Sequence, residues 1–208
     1  MKPGSLTGLF NCQMRRYFII YKPYQVLSQF TPADGKKCLK DYFKVDRDIY
    51  PLGRLDYDSE GLLILTNDKT LNHRLLQPEY AHEREYWVQV EGSITGSAME
   101  QIQKGVEINI SGKMIRTRSA KAIRFEFPPP VPERNPPVRF RKNIPSSWIS
   151  IILTEGKNRQ VRKMLAKTGF PVIRLIRCGI GNLRLGHMKP GEMKEISHEI
   201  IYEQLFGK

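Results

Sequence analysis

The chain has 208 residues, of which 40% are hydrophobic and 10% aromatic; this supplies enough apolar material for a buried core and excludes a wholly disordered protein. At roughly 150 residues per domain, the length predicts either one large domain or one domain with an appendage. The 34 Lys and Arg residues outnumber the 21 Asp and Glu residues, and the net charge of +13 indicates a polyanionic partner, either nucleic acid or an acidic membrane surface.

The cysteines and the N-terminus bear on location. Cys12, Cys38 and Cys178 are odd in number and widely spaced, which supports neither a disulfide framework nor a zinc site and predicts a reducing, cytoplasmic compartment. No apolar run approaches the roughly 20 residues of a membrane span. Residues 1–16 also lack the apolar stretch of a signal peptide, so we interpret them as a flexible leader and expect 17–208 to form a single domain.

Hydrophobic patterning predicts alternating strands and helices along the chain. The expected strands cover 17–21, 62–65, 84–91, 120–127 and 148–153; the expected helices cover 69–76, ended by Pro78, then 97–104 and 158–168. Six prolines between Pro128 and Pro137 predict an extended surface loop over 128–147. This mixture predicts an α+β fold, with a largely antiparallel mixed sheet, flanking helices and a central cleft.

The positive charge is concentrated in one region. Between Arg134 and Lys189 the sequence has thirteen Lys and Arg residues and a single acid, Glu155. A solvated basic face is the simplest interpretation, but a run this long and this poor in acids favours a nucleic-acid surface. Membrane binding is disfavoured because Val161, Met164 and Leu165 form only a narrow apolar stripe, of the kind that packs on a core.

The densest group of acids lies in the segment 53–68, where Asp56, Asp58 and Glu60 follow Arg54. Three interpretations compete. The acids could cap amides of a turn between glycines, could form a divalent-metal pair, although no third ligand accompanies them, or could act on a glycosidic bond as a pair of carboxylates. The residue types alone leave these alternatives open.

Gly53-Arg54-Leu55-Asp56 together with Ser59-Glu60-Gly61-Leu62-Leu63 resembles the catalytic motif of the pseudouridine synthases, in particular the RsuA-type branch that modifies ribosomal RNA. Further motifs of that family follow in its order, at Tyr21-Lys22-Pro23, 84–92, 155–164 and Arg174-Leu175-Ile176-Arg177. The resemblance covers 17–185. It implies the pseudouridine synthase fold and an isomerase that converts a uridine of ribosomal RNA to pseudouridine. The expected substrate is the 23S RNA of the large ribosomal subunit.

The resemblance also implies roles for individual residues. Asp56 is expected to be the catalytic carboxylate, acting as nucleophile at C1′ of the sugar or as base at C2′. Arg162 is expected to be its cationic partner. Tyr86 is expected to stack on the target base and to relay the C5 proton, and Leu175 to lie against the flipped base. RNA contacts are expected at Arg54, Lys157, Asn158, Arg159 and Gln160.

Some expectations concern partners. The isomerisation gains no atom, so the family chemistry requires no cofactor and no metal. We expect ribosomal RNA as the partner, as a stem-loop or in an assembly intermediate, with no membrane and a monomeric protein. The leader is too short for the S4-type domain of many relatives, so recognition is expected to use the catalytic domain, with Arg134, Arg139, Arg141 and Lys142 as accessories. The alternative function is a non-catalytic RNA-binding protein on the same scaffold.

Overall fold

The computed structural model describes residues 14–77, 80–138 and 144–207. Within these ranges the chain forms eleven strands, four α-helices and one 3₁₀ helix, Leu39–Asp41. The strands are β1 (Tyr17–Lys22), β2 (Tyr50–Pro51), β3 (Glu60–Thr66), β4 (Arg84–Glu91), β5 (Glu107–Ile110), β6 (Lys113–Arg116), β7 (Lys121–Arg124), β8 (Ser146–Leu153), β9 (Val172–Ile180), β10 (Leu183–Arg184) and β11 (Met193–Ile196). The helices are α1 (Lys69–Leu76), α2 (Gly96–Lys104), α3 (Gln160–Lys167) and α4 (His198–Phe206).

One large sheet organises the molecule. Its strand order is β11-β1-β3-β9-β4-β8-β7, with β2 added to β3 and β10 added to β9, while β5 and β6 form a separate hairpin. Strands β3 and β9 run parallel, and the other neighbouring pairs of the large sheet are antiparallel. The predicted α+β class and largely antiparallel mixed sheet are therefore confirmed.

Helices cover both faces of this sheet. Helices α2 and α3 share one apolar cluster with β4, β8 and β9 through side chains such as Ile102, Met164 and Val88. Helices α1 and α4 share another cluster with β1 and β3 through Leu71, Leu205 and Ile64. Strand β3 is buried along its whole length, which is why its residues 61–65 are continuously apolar and do not alternate with polar residues.

Several predicted boundaries were wrong by a few residues. Strand β3 begins at Glu60, not at Leu62, because the Glu60 carboxylate is paired inside the fold and can be buried. Helix α3 begins at Gln160, two residues late, because Arg159 adopts a left-handed conformation with φ of 51°. The strand expected over 120–127 is limited to β7. The apolar stripe of α3 is buried, as predicted.

The proline-rich segment has neither helix nor strand over its described residues, but β8 already begins at Ser146, so the loop ends before 147. Arg134 holds this segment in place: its guanidinium lies 4.1 Å from the centre of the Tyr24 ring and donates to the carbonyls of Pro136 and Pro137. Arg139, Arg141, Lys142, Pro78 and leader residues 1–13 lie outside the described residues.

Arg16, which we assigned to the leader, is tied to the sheet. Its backbone amide donates to Asn67 Oδ1, and its guanidinium donates to the carboxylates of Asp46 and Glu195. Because Glu195 lies on β11 and Asn67 follows β3, these contacts join three parts of the chain. Arg16 therefore belongs with β1 and not with a flexible leader.

Candidate active site

A cavity of about 350 Å³ lies over the central strands β4 and β9. One wall is the loop between β2 and β3, and the opposite wall is the loop between β8 and α3. Its lining includes most of the predicted site residues: Arg54, Asp56, Tyr86, Lys157, Asn158, Arg159, Gln160 and Leu175. Arg54 and Leu175, 121 residues apart in sequence, thus meet at one place.

The loop that carries Asp56 is held by a hydrogen bond within its own backbone and by one from Gln25, which follows the motif Tyr21-Lys22-Pro23. The Ser59 amide donates to the Asp56 carbonyl at 3.0 Å, and the Gln25 amide donates to the Tyr57 carbonyl at 2.9 Å. Gly53, with φ of 67°, makes the turn that enters the loop. The Asp56 side chain keeps 35% of its surface exposed, so its carboxylate is open to the cavity side of the molecule.

Asp58, two residues later, has a different environment. Arg159 donates to both of its carboxylate oxygens, at 2.9 and 2.7 Å, and Arg162 Nε lies 3.3 Å from Oδ2. Burial alone would raise the pKa of Asp58, but the hydrogen bond from Arg159 and the charges of both arginines outweigh it, so this pKa lies below its ordinary value. Asp58 is therefore an ionised anchor for the start of α3.

The structure changes the expected partner of Asp56. Arg162 contacts the carboxylate of Asp58, the Asp58 carbonyl at 2.5 Å and Ser59 Oγ at 3.4 Å, and it makes no ion pair with Asp56 within 4.0 Å. The cation that reaches Asp56 is Arg159, whose Nη1 lies 3.7 Å from Oδ2. Spacing in the sequence did not distinguish these arginines; the left-handed turn at Arg159 brings its side chain back over the acidic loop.

The family motif at 155–164 forms a closed network of hydrogen bonds around Glu155. Lys157 and Gln160 both donate to the Glu155 carboxylate, and the backbone amide of Arg118 donates to it at 2.9 Å. Burial would raise the pKa of Glu155, but these donors hold it below its ordinary value. Gln160 Oε1 also accepts from the Lys157 amide. Both ends of the Gln160 amide are thus used, and we interpret Gln160 as holding the loop instead of contacting substrate.

The remaining predicted residues also line the cavity. Tyr86 on β4 is half-buried, and Leu175 on β9 is 5% exposed. Tyr86 pairs with Arg177 and Val88 pairs with Leu175, so Tyr86 and Leu175 project from the same face of the sheet. Arg54 and Asn158 are exposed on the two opposing loops. Their roles toward a substrate remain predictions.

Three basic residues near the cavity were given no role from the sequence. Arg84 and Arg177 line it; burial lowers the pKa of Arg84, which donates to the carbonyls of His82 and Leu75. Lys22 is fully buried and donates to the carbonyls of Pro23 and Val26, and burial lowers its pKa to about 7 despite the charges of Glu60, Asp58 and Asp56. Each stands in a motif quoted above, which was the available signal.

Two further observations concern the classes of function considered above. The described residues contain no group of three or more His, Cys, Asp or Glu side chains placed to hold a metal ion. None of the helices found within the same ranges has the length and apolar character needed to cross a bilayer.

Comparison with known proteins gives the family. Residues 16–167 match the family model of RNA pseudouridylate synthase. The chain is 49% identical over 184 residues to ribosomal large subunit pseudouridine synthase E of Vibrio parahaemolyticus, covering 88% of this chain and 75% of that protein. A protein of the same name from Xanthomonas campestris is 43% identical over 178 residues, 85% of this chain and 92% of the relative.

A solved structure titled as a pseudouridylate synthase superposes with a TM-score of 0.74 at 22% identity, covering 92% of this chain and 74% of the other, and it has the same fold. Matches that extend over most of the chain thus confirm the resemblance, which rested on the motifs at 53–63, 84–92 and 155–164. This protein belongs to the RNA pseudouridine synthase family.

Proposed function

We propose that this protein converts one uridine of large-subunit ribosomal RNA to pseudouridine, with Asp56 as the catalytic carboxylate. The observation that carries the proposal is the placement of Asp56, Tyr86 and Leu175 on one cavity, although they come from a loop, an antiparallel strand and its neighbour. The relatives named for the large ribosomal subunit support the choice of RNA.

The reaction requires that the N1–C1′ bond break, that the uracil turn, and that C5 bond to C1′ while the C5 proton is lost and N1 gains one. Asp56 serves either as nucleophile at C1′ or as base at C2′. Both roles need an ionised carboxylate with a free oxygen. The Asp56 side chain is 35% exposed, and among the described residues its ion pair within 4.0 Å is the one with Arg159, at 3.7 Å, so one carboxylate oxygen is left open.

The base is held between Tyr86 and Leu175. A tyrosine ring offers an apolar face for stacking and a hydroxyl that can pass the C5 proton to solvent. Leu175 closes the other side and excludes water. Because a uridine inside a stem must leave the stack to reach Asp56, at a cost of a few kcal/mol, a damaged or unpaired target position is preferred.

The basic rim supplies the compensating energy. Arg54 on one loop, with Lys157 and Arg159 on the other, flanks the entrance to the cavity. Phosphates that these side chains neutralise release counterions, so affinity for RNA falls steeply as salt is raised. Arg159 is partly committed to Asp58 in the absence of RNA, and a phosphate competes for it. Arg162, which is largely buried against Asp58, orders this wall.

The decisive experiment compares pseudouridine maps of ribosomal RNA from cells with the wild-type protein, with no protein and with Asp56→Asn. One site is expected to vanish in both mutant strains. In vitro, tritium release from C5-labelled uridine should fall on the order of 10⁴-fold, as for other enzymes that lose an essential nucleophile or base. Asp34→Asn, which changes an exposed acid outside the cavity, is the matched control.

A site that survives in the Asp56→Asn strain would contradict the catalytic role of Asp56, and a map unchanged by the deletion would contradict the function itself.

We also propose that the protein is a monomer in the cytoplasm. The buried free thiols of Cys38 and Cys178 suit a reducing compartment. Light scattering of the purified protein and fractionation of cells test these two points, and assays on naked transcripts and on assembly intermediates identify the preferred form of the RNA.

A further inference from the structure

Strand β9 buries two arginines to the same extent, but only one of them is neutralised. Arg174 and Arg177 are each 5% exposed. Arg174 donates to both carboxylate oxygens of Glu60, at 2.9 Å each. Arg177 makes no ion pair within 4.0 Å among the described residues, and its Nε donates to the Leu62 carbonyl at 2.8 Å. Its Nη2 is buried without a hydrogen-bond partner in that same set.

An unsatisfied buried donor costs about 1–3 kcal/mol, and more on a charged group. Neutralisation by a bound group would offset part of this cost. Arg177 lines the cavity that contains Asp56, and it pairs with Tyr86 across β9 and β4. Arg177 therefore borders the same cavity as the side chains proposed to hold the base.

The backbone next to Arg177 is also shaped for this placement. Gly61 pairs with Arg177 across the parallel strands β3 and β9, and a Cβ atom at Gly61 would lie 2.3 Å from the Arg177 carbonyl oxygen. Any side chain at 61 would therefore displace β9 at this point. The glycine of the acidic motif thus fixes the position of an arginine 116 residues later in the chain.

We propose that the Arg177 guanidinium donates a hydrogen bond to a carbonyl oxygen of the flipped uracil and stabilises the negative charge that the base acquires. This inference rests on the proposed function. When the N1–C1′ bond breaks, its electron pair stays on N1 and is delocalised onto O2 and O4. Arg177 gains and loses no proton; it stabilises the uracil anion until C5 bonds to C1′. A fixed cation in a water-poor site stabilises such charge strongly.

The test uses leaving-group ability, because a structural role and a catalytic role respond to it differently. Fluorine at C5 withdraws electrons and makes the uracil a better leaving group. Breakage of the N1–C1′ bond in a single turnover is measured as loss of the original nucleoside, by nuclease digestion and mass spectrometry, for transcripts with uridine or with 5-fluorouridine at the site; the fluorinated base has no C5 proton to lose and is not expected to yield pseudouridine. Arg177→Gln should slow the uridine substrate about 100-fold and the fluorinated substrate about 10-fold or less.

Arg174→Gln is the matched control, since it changes an equally buried arginine on the same strand that faces Glu60. Its loss of activity should be the same for both substrates. If Arg177→Gln does not fold, Arg177→Lys, which keeps a cation but lacks the fork, is measured in the same way. Equal losses on both substrates, or no loss, would overturn the inference. A wild-type protein inactive on every transcript would instead contradict the proposed function.

Discussion

Strand β3 is bracketed by two aspartates whose surroundings are opposite. Asp56 precedes it, has a side chain that is 35% exposed, and has Arg159 Nη1 3.7 Å from one of its carboxylate oxygens. Asp68 follows it, has a side chain that is 1% exposed, and accepts from the hydroxyls of Tyr17 and Tyr202 at 2.8 Å each and from the amides of Thr70 and Leu71. A carboxylate with so many donors cannot attack a sugar, whereas one left open can. The number of donors thus separates the structural acid from the one proposed to be catalytic.

Replacing each of the two acids separately is expected to have the largest effects. Asp68→Ala removes the N-cap of α1, worth about 1 kcal/mol, and leaves the buried Tyr17 hydroxyl without its partner, at about 1–3 kcal/mol. We expect a loss of about 3 kcal/mol in the free energy of unfolding, measured in urea, with activity retained by the folded fraction. Asp56→Asn should change that free energy by less than about 0.5 kcal/mol while abolishing activity.

Equal destabilisation by the two variants would contradict this comparison.

The surroundings of Asp68 also predict a pH effect: burial raises its pKa, but the hydrogen bonds from Tyr202 and Tyr17 outweigh burial and lower the pKa. Its contribution to stability is therefore present above the unfolded pKa and is lost as pH falls through the lower, folded value. The Asp68→Ala variant should lack this acid-dependent component.

The same reasoning applies to a buried cation. Lys22 has only carbonyl partners, and its pKa falls from 10.5 to about 7. Between these values the unfolded chain binds more protons than the folded chain, so stability rises with pH. From pH 6.5 to 8.5 we expect the free energy of unfolding to increase by about 2 kcal/mol in the wild type relative to Lys22→Met.

Urea titrations of both proteins at the two pH values measure this difference. The other titrating groups are common to both proteins and cancel. Parallel pH dependence of the two proteins would show that Lys22 keeps its charge in the folded state, in which case the acids around it, Glu60, Asp58 and Asp56, are closer partners than their contacts indicate.

The sequence predicted elements well where local signals were sufficient. Helix α1 and strand β4 have the predicted bounds, because Asp68 caps the helix and β4 alternates. Strand β9 was not predicted, because Arg174 and Arg177 interrupt its apolar pattern. Those residues are buried only because Glu60 and the Leu62 carbonyl meet them in three dimensions. Helix α4 was predictable from its Ser197 cap, whereas the hairpin β5–β6 has only weak alternation.

The site followed the same division. Asp56 and Tyr86 stand in motifs that the sequence displays directly, and both line the cavity. The exchange of Arg162 for Arg159 beside Asp56 depends on one left-handed residue, and the engagement of Gln160 depends on Glu155. Such details follow from how a loop folds back on itself, and residue spacing does not encode them.

The smallest expected effect concerns the rim. Arg118 is exposed, and it lines a second cavity of about 350 Å³ that shares Arg84, Glu155 and Lys157 with the first. Its backbone amide donates to Glu155, and its side chain, exposed among the described residues, is available to a phosphate. Arg118→Ala should weaken RNA binding several-fold at any target sequence and reduce the slope of log affinity against log salt by about 1. Lys194→Ala, an exposed cation on edge strand β11, should leave the slope unchanged. Filter binding over a salt series measures both slopes. Equal slopes for the two variants would mean that RNA does not extend along this side of the cleft, and that the basic side chains near Asp56 serve the flipped base alone.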